Sequence, residues 1–179
     1  FLTSRNEFLQ NEHCVISTAN ITEDTNLFYR NSYAHEIVFI HYGKGKMLSE
    51  YGVIPFEEWD YLIIPKGTTY QLKFDSYEKA KILIIESDTP FDIPKHFRNE
   101  YGQLTEEAPY YERDFRPPDF MEPRDEKGEF TLILKVSNRL FQYTVPHHPF
   151  DVVGWDGFLY PYAFNIKEYA PKVGKIHLP

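Results

Sequence analysis

The chain has 179 residues, enough for one well-packed domain with extra loops. Its formal net charge of −8 argues against nucleic acid and anionic membrane surfaces as partners, and no apolar run approaches the roughly 20 residues that a bilayer-spanning helix needs. With 42% hydrophobic and 26% charged residues, and with 15 Phe, 14 Tyr and 13 Pro, the composition is that of a soluble protein that is all-β with loop-rich extensions.

In chain order, the first expected strand is 11–18 (NEHCVIST). A stronger one follows at Glu36 to His41 (EIVFIH), with Gly43-Lys44-Gly45 supplying a tight reversal and Lys46 to Tyr51 the return. Tyr61 to Ile64 is a short strand stopped by the Pro65-Lys66-Gly67 turn. Thr69 to Phe74 and Ala80 to Glu86 continue the pattern. Short strands at close spacing with turn signals predict a sandwich or barrel. Residues 88–128 change character, rich in Pro, acid, Arg and Tyr with little periodicity. Their many aromatics, among them Phe97, Tyr110 and Phe115, favour a packed arm over a flexible linker. Phe130 to Val136 and Leu140 to Val145 predict a second hairpin, turned at Ser137-Asn138-Arg139. No sustained helical period is present.

The single cysteine, Cys14, excludes an internal disulfide and fits a reducing, cytoplasmic compartment. It reads as a packed thiol in a strand, with His13 on the opposite face. No phosphate-binding glycine loop and no serine-nucleophile elbow occurs. Acidic pairs such as Glu57-Glu58 read as solvated faces. His35 and His41 share one strand face by their even spacing but lie roughly 20 Å apart, too far for one ion. His147 and His148 are adjacent and point to opposite sides.

The stretch EIVFIHYGKG followed by WDYLIIPKGTTY resembles the cupin superfamily in its strands and turns, which implies a cupin or jelly-roll β-sandwich. Aligned on Gly43, the motif places Glu36 at its carboxylate ligand position. Its two upstream histidine positions hold Arg30 and Ser32, and its late histidine position, three residues after Gly67, holds Tyr70. A ferrous or zinc site needs neutral imidazoles with a carboxylate, so this repeat is expected to hold no metal.

More specific is HHPFDVVGWDGFLYPYAFNI, His147 to Ile166, which resembles homogentisate 1,2-dioxygenases and their bacterial relatives. IPKHFRNEYGQL (Ile93 to Leu104) and ERDFRPP (Glu112 to Pro118) are similar to the same family. The resemblance implies a parent enzyme that opens the homogentisate ring with molecular oxygen to give maleylacetoacetate, in tyrosine and phenylalanine catabolism. It also implies a non-haem Fe(II) held by two His and one Glu in a C-terminal cupin domain, and assembly as trimers or dimers of trimers. No residue here matches a ligand of that iron, so no catalytic and no metal-binding residue is assigned. His177 lies near the region of the family's proposed base but does not match its surroundings.

On this reading the chain is a fragment of a longer protein, inactive alone. Residues 1–90 form a degenerate cupin-like sandwich, and 91–128 an aromatic, proline-rich arm. Residues 129–179 are a hairpin and signature loop completing the same N-terminal domain. Gly154 and Gly157 permit tight geometry around Trp155 and Asp156. His147, His148, Trp155, Asp156, Tyr160 and Tyr162 are the candidate interface toward the C-terminal catalytic domain or a neighbouring subunit of a homo-oligomer. Two other readings stand beside it. One is a stand-alone metal-free cupin binding module. The other is a metal-free cupin enzyme, such as a sugar isomerase, working with a His–Tyr or His–Asp acid–base pair.

Overall fold

The structure, a computed structural model, describes residue 2 and residues 4–170. Its strands are β1 (Arg5–Gln10), β2 (Cys14–Ile21), β3 (Phe28–Asn31), β4 (His35–Tyr42), β5 (Gly45–Ser49), β6 (Gly52–Phe56) and β7 (Asp60–Ile64). They continue as β8 (Thr69–Phe74), β9 (Ala80–Ser87), β10 (Phe115–Arg116), β11 (Lys127–Val136), β12 (Arg139–His147) and β13 (Tyr162–Asn165). The helices among the described residues are single 3-10 turns at Lys95–Phe97, Glu112–Asp114 and Ile166–Glu168. None is long and apolar enough to cross a membrane.

The strands form two sheets, ordered β1-β2-β9-β4-β7-β13-β10 and β12-β11-β3-β8-β5-β6. The fold is an all-β sandwich of two sheets. Its period-two patterning sets which residues face inward. From the first sheet Val38, Ile40, Leu62, Ile64, Ile82 and Ile84 are buried. Tyr29, Met47, Ile54, Tyr70, Phe74 and Ile133 meet them from the second. Gly43, at a φ of 105°, makes the reversal between β4 and β5.

The sequence pattern missed β1, β3, β6, β10 and β13. These are short strands or strands of mixed polarity; β1 and β6 pair with their sequence neighbours β2 and β5, and the other three take partners distant in sequence. β3 runs parallel to β11, and β13 lies against β7. The proline-rich segment packs on the outer face of the first sheet. Tyr110 sits edge-on to Phe97, Phe115 and Phe164 at centroid distances of 6.1, 5.4 and 5.8 Å. Phe115 pairs with Phe164 across β10 and β13, and the Arg116 guanidinium lies 2.6 Å from the fully buried Asp60 carboxylate. Further along, Asp119 and Val53 exchange two backbone hydrogen bonds of 2.9 and 2.8 Å.

Gly52 is where that last contact is closest. It has a φ of 127°, and a Cβ built there would collide with the Asp119 carbonyl oxygen. Gly52→Ala is therefore expected to destabilise the chain by roughly 2–4 kcal/mol, read from the urea unfolding midpoint. A midpoint equal to that of the unaltered chain would mean that the segment is not seated against β6.

Candidate functional site

The centre of the sandwich carries charge around Glu36. Glu36 on β4 and Glu86 on β9 are direct cross-strand partners. Like charges so placed repel, and two cations resolve the conflict. The Arg5 guanidinium puts Nη2 3.0 Å from Glu36 Oε1 and Nη1 3.4 Å from Glu86 Oε1. The Lys135 ammonium donates to both Glu86 oxygens at 2.7 Å. Neutral donors complete the shell. Tyr70 OH donates to Glu36 Oε2 at 2.9 Å, Tyr29 OH to Glu36 Oε1 at 3.4 Å, and Asn31 Nδ2 to Glu86 Oε1 at 2.7 Å. Arg5 Cζ also lies 5.1 Å from the Tyr29 ring centroid. The side chains of Arg5 and Glu36 are 9% and 1% exposed, so this pair is shielded from water.

Burial alone would lower the Arg5 pKa, but the surrounding carboxylates, Glu36 foremost, outweigh it and hold the guanidinium above its ordinary range. Burial, reinforced by the Glu36 charge, pushes both Tyr29 and Tyr70 well above the usual phenol value. The tyrosines are therefore neutral donors.

Of the four motif positions, the fold brings Glu36 and Tyr70 into contact. Arg30 and Ser32 do not join them. Arg30 faces away from the core, donating to Thr69 Oγ1 from Nε at 2.8 Å, and Ser32 is exposed. Strand alternation turns their neighbours Tyr29 and Asn31 inward instead. The cation at the centre is Arg5, and Glu86 and Lys135 complete it. None of these three stood out in the sequence, because they are single polar residues in strands that pair only after folding. A motif window around Glu36 could not reach them.

These residues do not fit a ferrous ion. Each carboxylate already bonds a cation and neutral donors, and no imidazole joins them. His35 lies on the opposite face of β4 from Glu36, with its Nδ1 accepting the Lys66 backbone N–H at 3.3 Å. Among the described residues no group of three His, Cys, Asp or Glu is placed to hold a metal ion. His41 sits further along β4 against Tyr42 and Trp59. Cys14 is a half-buried free thiol at the start of β2. His177 lies outside the described residues.

A cleft of about 540 Å³ opens beside the network. Glu86, Lys135, Asp88, His13 and Arg139 line it, and the His13 and Asp88 side chains are 2.8 Å apart.

The six candidate interface residues do not lie in one place. His147 is exposed at the end of β12. His148 is buried in an aromatic cluster with Phe28, Phe130 and Phe150, and its Nδ1 accepts the Phe150 N–H at 3.0 Å. Trp155 donates from Nε1 to the Tyr51 carbonyl at 2.8 Å and packs on Tyr160, while Asp156 is exposed beside it. Tyr162 sits on β13 against Phe115. Tyr160 and Tyr162 line a groove of about 640 Å³ with His35, Phe91, Phe158 and Leu159. At its rim Phe158 is fully exposed and Leu159 60% exposed; Val153, on the same loop, is 87% exposed.

His35 and His148 share one pH dependence. Burial lowers the pKa of both below 6.5, aided by the charge of Lys66 at His35 and of Arg124 at His148. A lowered folded value means that the unfolded chain binds the proton more readily. Their contribution is fully present above pH 6.5 and is lost as pH falls through the folded values. The urea midpoint should fall on acidification from about pH 7 to 5, and His148→Gln should flatten that slope. An unchanged slope in the variant would remove His148 from the account.

The profile of the family described as "Homogentisate 1,2-dioxygenase N-terminal" matches residues 5–166. A protein of Saccharolobus solfataricus, named provisionally as a dioxygenase, is 44% identical over 94% of this chain and 43% of its own length. The homogentisate 1,2-dioxygenase of Rhodopseudomonas palustris (strain HaA2) is 30% identical over 79% of this chain and 30% of its own. The chain thus spans less than half the length of these curated relatives. A solved cupin-2 domain protein from Shewanella frigidimarina overlays with a TM-score of 0.41 at 17% identity, covering 47% of this chain and 79% of that one. With its profile matched from Arg5 to Ile166, the chain belongs to the homogentisate 1,2-dioxygenase N-terminal family.

Proposed function

We propose that this chain is the non-catalytic N-terminal part of a homogentisate 1,2-dioxygenase-like enzyme. The enzyme opens the homogentisate ring with molecular oxygen to maleylacetoacetate, a cytoplasmic step of tyrosine and phenylalanine catabolism. The observation that carries the reading is the family match over residues 5–166. The central charge network supports it, since residues spent on one another leave no open ligand position in this half. Fe(II), which supplies the oxygen-activating chemistry of an extradiol-type enzyme, belongs on this reading to a C-terminal domain outside the chain. This chain's part is to present the apolar loop of Val153, Phe158 and Leu159, with the groove beside it, to that domain or to a neighbouring subunit of a trimer or hexamer.

Oxygen uptake and iron content test the reading, measured on the chain alone and on the protein carrying its natural downstream sequence. The longer protein is expected to hold iron and consume oxygen with homogentisate in preference to other hydroxylated phenylacetates; the chain alone should do neither. The cleft beside Glu86 and Lys135 favours a second reading, a metal-free module that binds a small ligand. A natural protein without iron or oxygen uptake would leave that one standing.

A further inference from the structure

Arg5 is the one residue of β1 that is not exposed; the other five strand residues face solvent. β1 is held to β2 by backbone pairing, from Arg5 opposite Ala19 to Gln10 opposite Val15. That pairing is independent of what the Arg5 side chain carries. The guanidinium alone enters the sandwich, where it touches two carboxylates and lies near a tyrosine ring.

We propose that Glu36, Glu86, Tyr29 and Tyr70 form a guanidinium-binding site that the chain fills with its own Arg5, and that a free guanidinium cation takes the site when Arg5 is shortened. The shape of the shell selects this cation. A guanidinium is planar, presents a fork of N–H donors, is weakly hydrated and lies well against aromatic rings. Arg5 shows two of these properties: Nη2 donates to Glu36 while Nη1 lies 3.4 Å from Glu86 as an ion pair, and Cζ sits 5.1 Å from the Tyr29 centroid. The compact ammonium in the same network behaves differently, since Lys135 takes both oxygens of Glu86. A divalent metal would need more ligands than the shell can free, because Tyr70 occupies Glu36 Oε2 and Lys135 and Asn31 occupy Glu86. Shortening Arg5 leaves two buried carboxylates against one ammonium. That imbalance drives uptake of a replacement cation.

The test uses Arg5→Ala in the full-length protein, unfolded by heat in low-millimolar guanidinium chloride, ammonium chloride, sodium chloride or manganese chloride. Without additive the transition of this domain is expected to fall by on the order of 10 °C. Guanidinium should restore most of that loss with saturation, as a ligand does. The same concentrations should not raise the unaltered protein, and combining Arg5→Ala with Glu36→Gln should abolish the recovery. If Arg5→Ala does not fold unaided, the refolding yield from urea with and without guanidinium reads the same outcome. No recovery in either assay overturns the proposal. Equal recovery with every salt would assign the effect to screening, and recovery with manganese instead of guanidinium would make this a metal site; either overturns it.

Discussion

Glu36→Leu is expected to destabilise the chain by roughly 3–5 kcal/mol. The substitution leaves the Arg5 guanidinium buried with only Glu86 for a counter-charge, and Glu86 is already bonded by Lys135 and Asn31. It also takes away the acceptor of Tyr70 OH and Tyr29 OH. Arg5→Met alone should cost a similar amount for the opposite reason, because two cross-strand carboxylates then face each other with only Lys135, bonded to Glu86, as the remaining cation of the network. The double substitution removes one charge of each sign and should recover a large part of the loss, since an apolar replacement of a buried pair is often close to neutral. Urea unfolding of the four proteins gives a coupling energy, expected at about 2 kcal/mol or more. Additive single effects would show that Arg5 and Glu36 do not act as a pair.

The second large effect belongs to the exposed loop. Changing Phe158 and Leu159 together to aspartate is expected to leave the stability of this chain alone unchanged, because Phe158 is fully exposed and Leu159 60% exposed. In the full-length protein the same change should lower oxygen uptake with homogentisate roughly tenfold or more and shift the assembly toward smaller species on size-exclusion chromatography. A charge placed in a buried apolar seam is costly, whereas the same charge on a free loop is not. Full activity and full assembly in the variant would place the seam elsewhere. Trp155→Ala serves as a contrast. Trp155 donates to the Tyr51 carbonyl and packs on Tyr160, so its loss should loosen the loop within this chain as well.

Much of the sandwich was legible before folding. β4 and β9 carry β-branched, alternating runs, and Pro65-Lys66-Gly67 ends β7; such local signals do not depend on distant residues. Glu36 and Tyr70 were singled out too, as two positions of one motif, but their hydrogen bond was not foreseen. β13 was not legible, since YAFN becomes a strand by pairing with β7 and β10. β1 was equally silent, with five of its six residues exposed and no alternation to read.

The sequence by itself determined the strand grammar, the all-β class and the family, because each rests on the order of residues within short windows. Only the tertiary structure decided what fills the centre of the sandwich. Arg5, Glu36, Glu86 and Lys135 come from four strands spread over 131 positions, 5 to 135; the first three share one sheet, the other sheet adds Lys135, and folding brings their ion-pairing atoms within 3.4 Å. In water each of these side chains is an ordinary solvated charge. Exclusion of water by the surrounding core makes their mutual contacts obligatory.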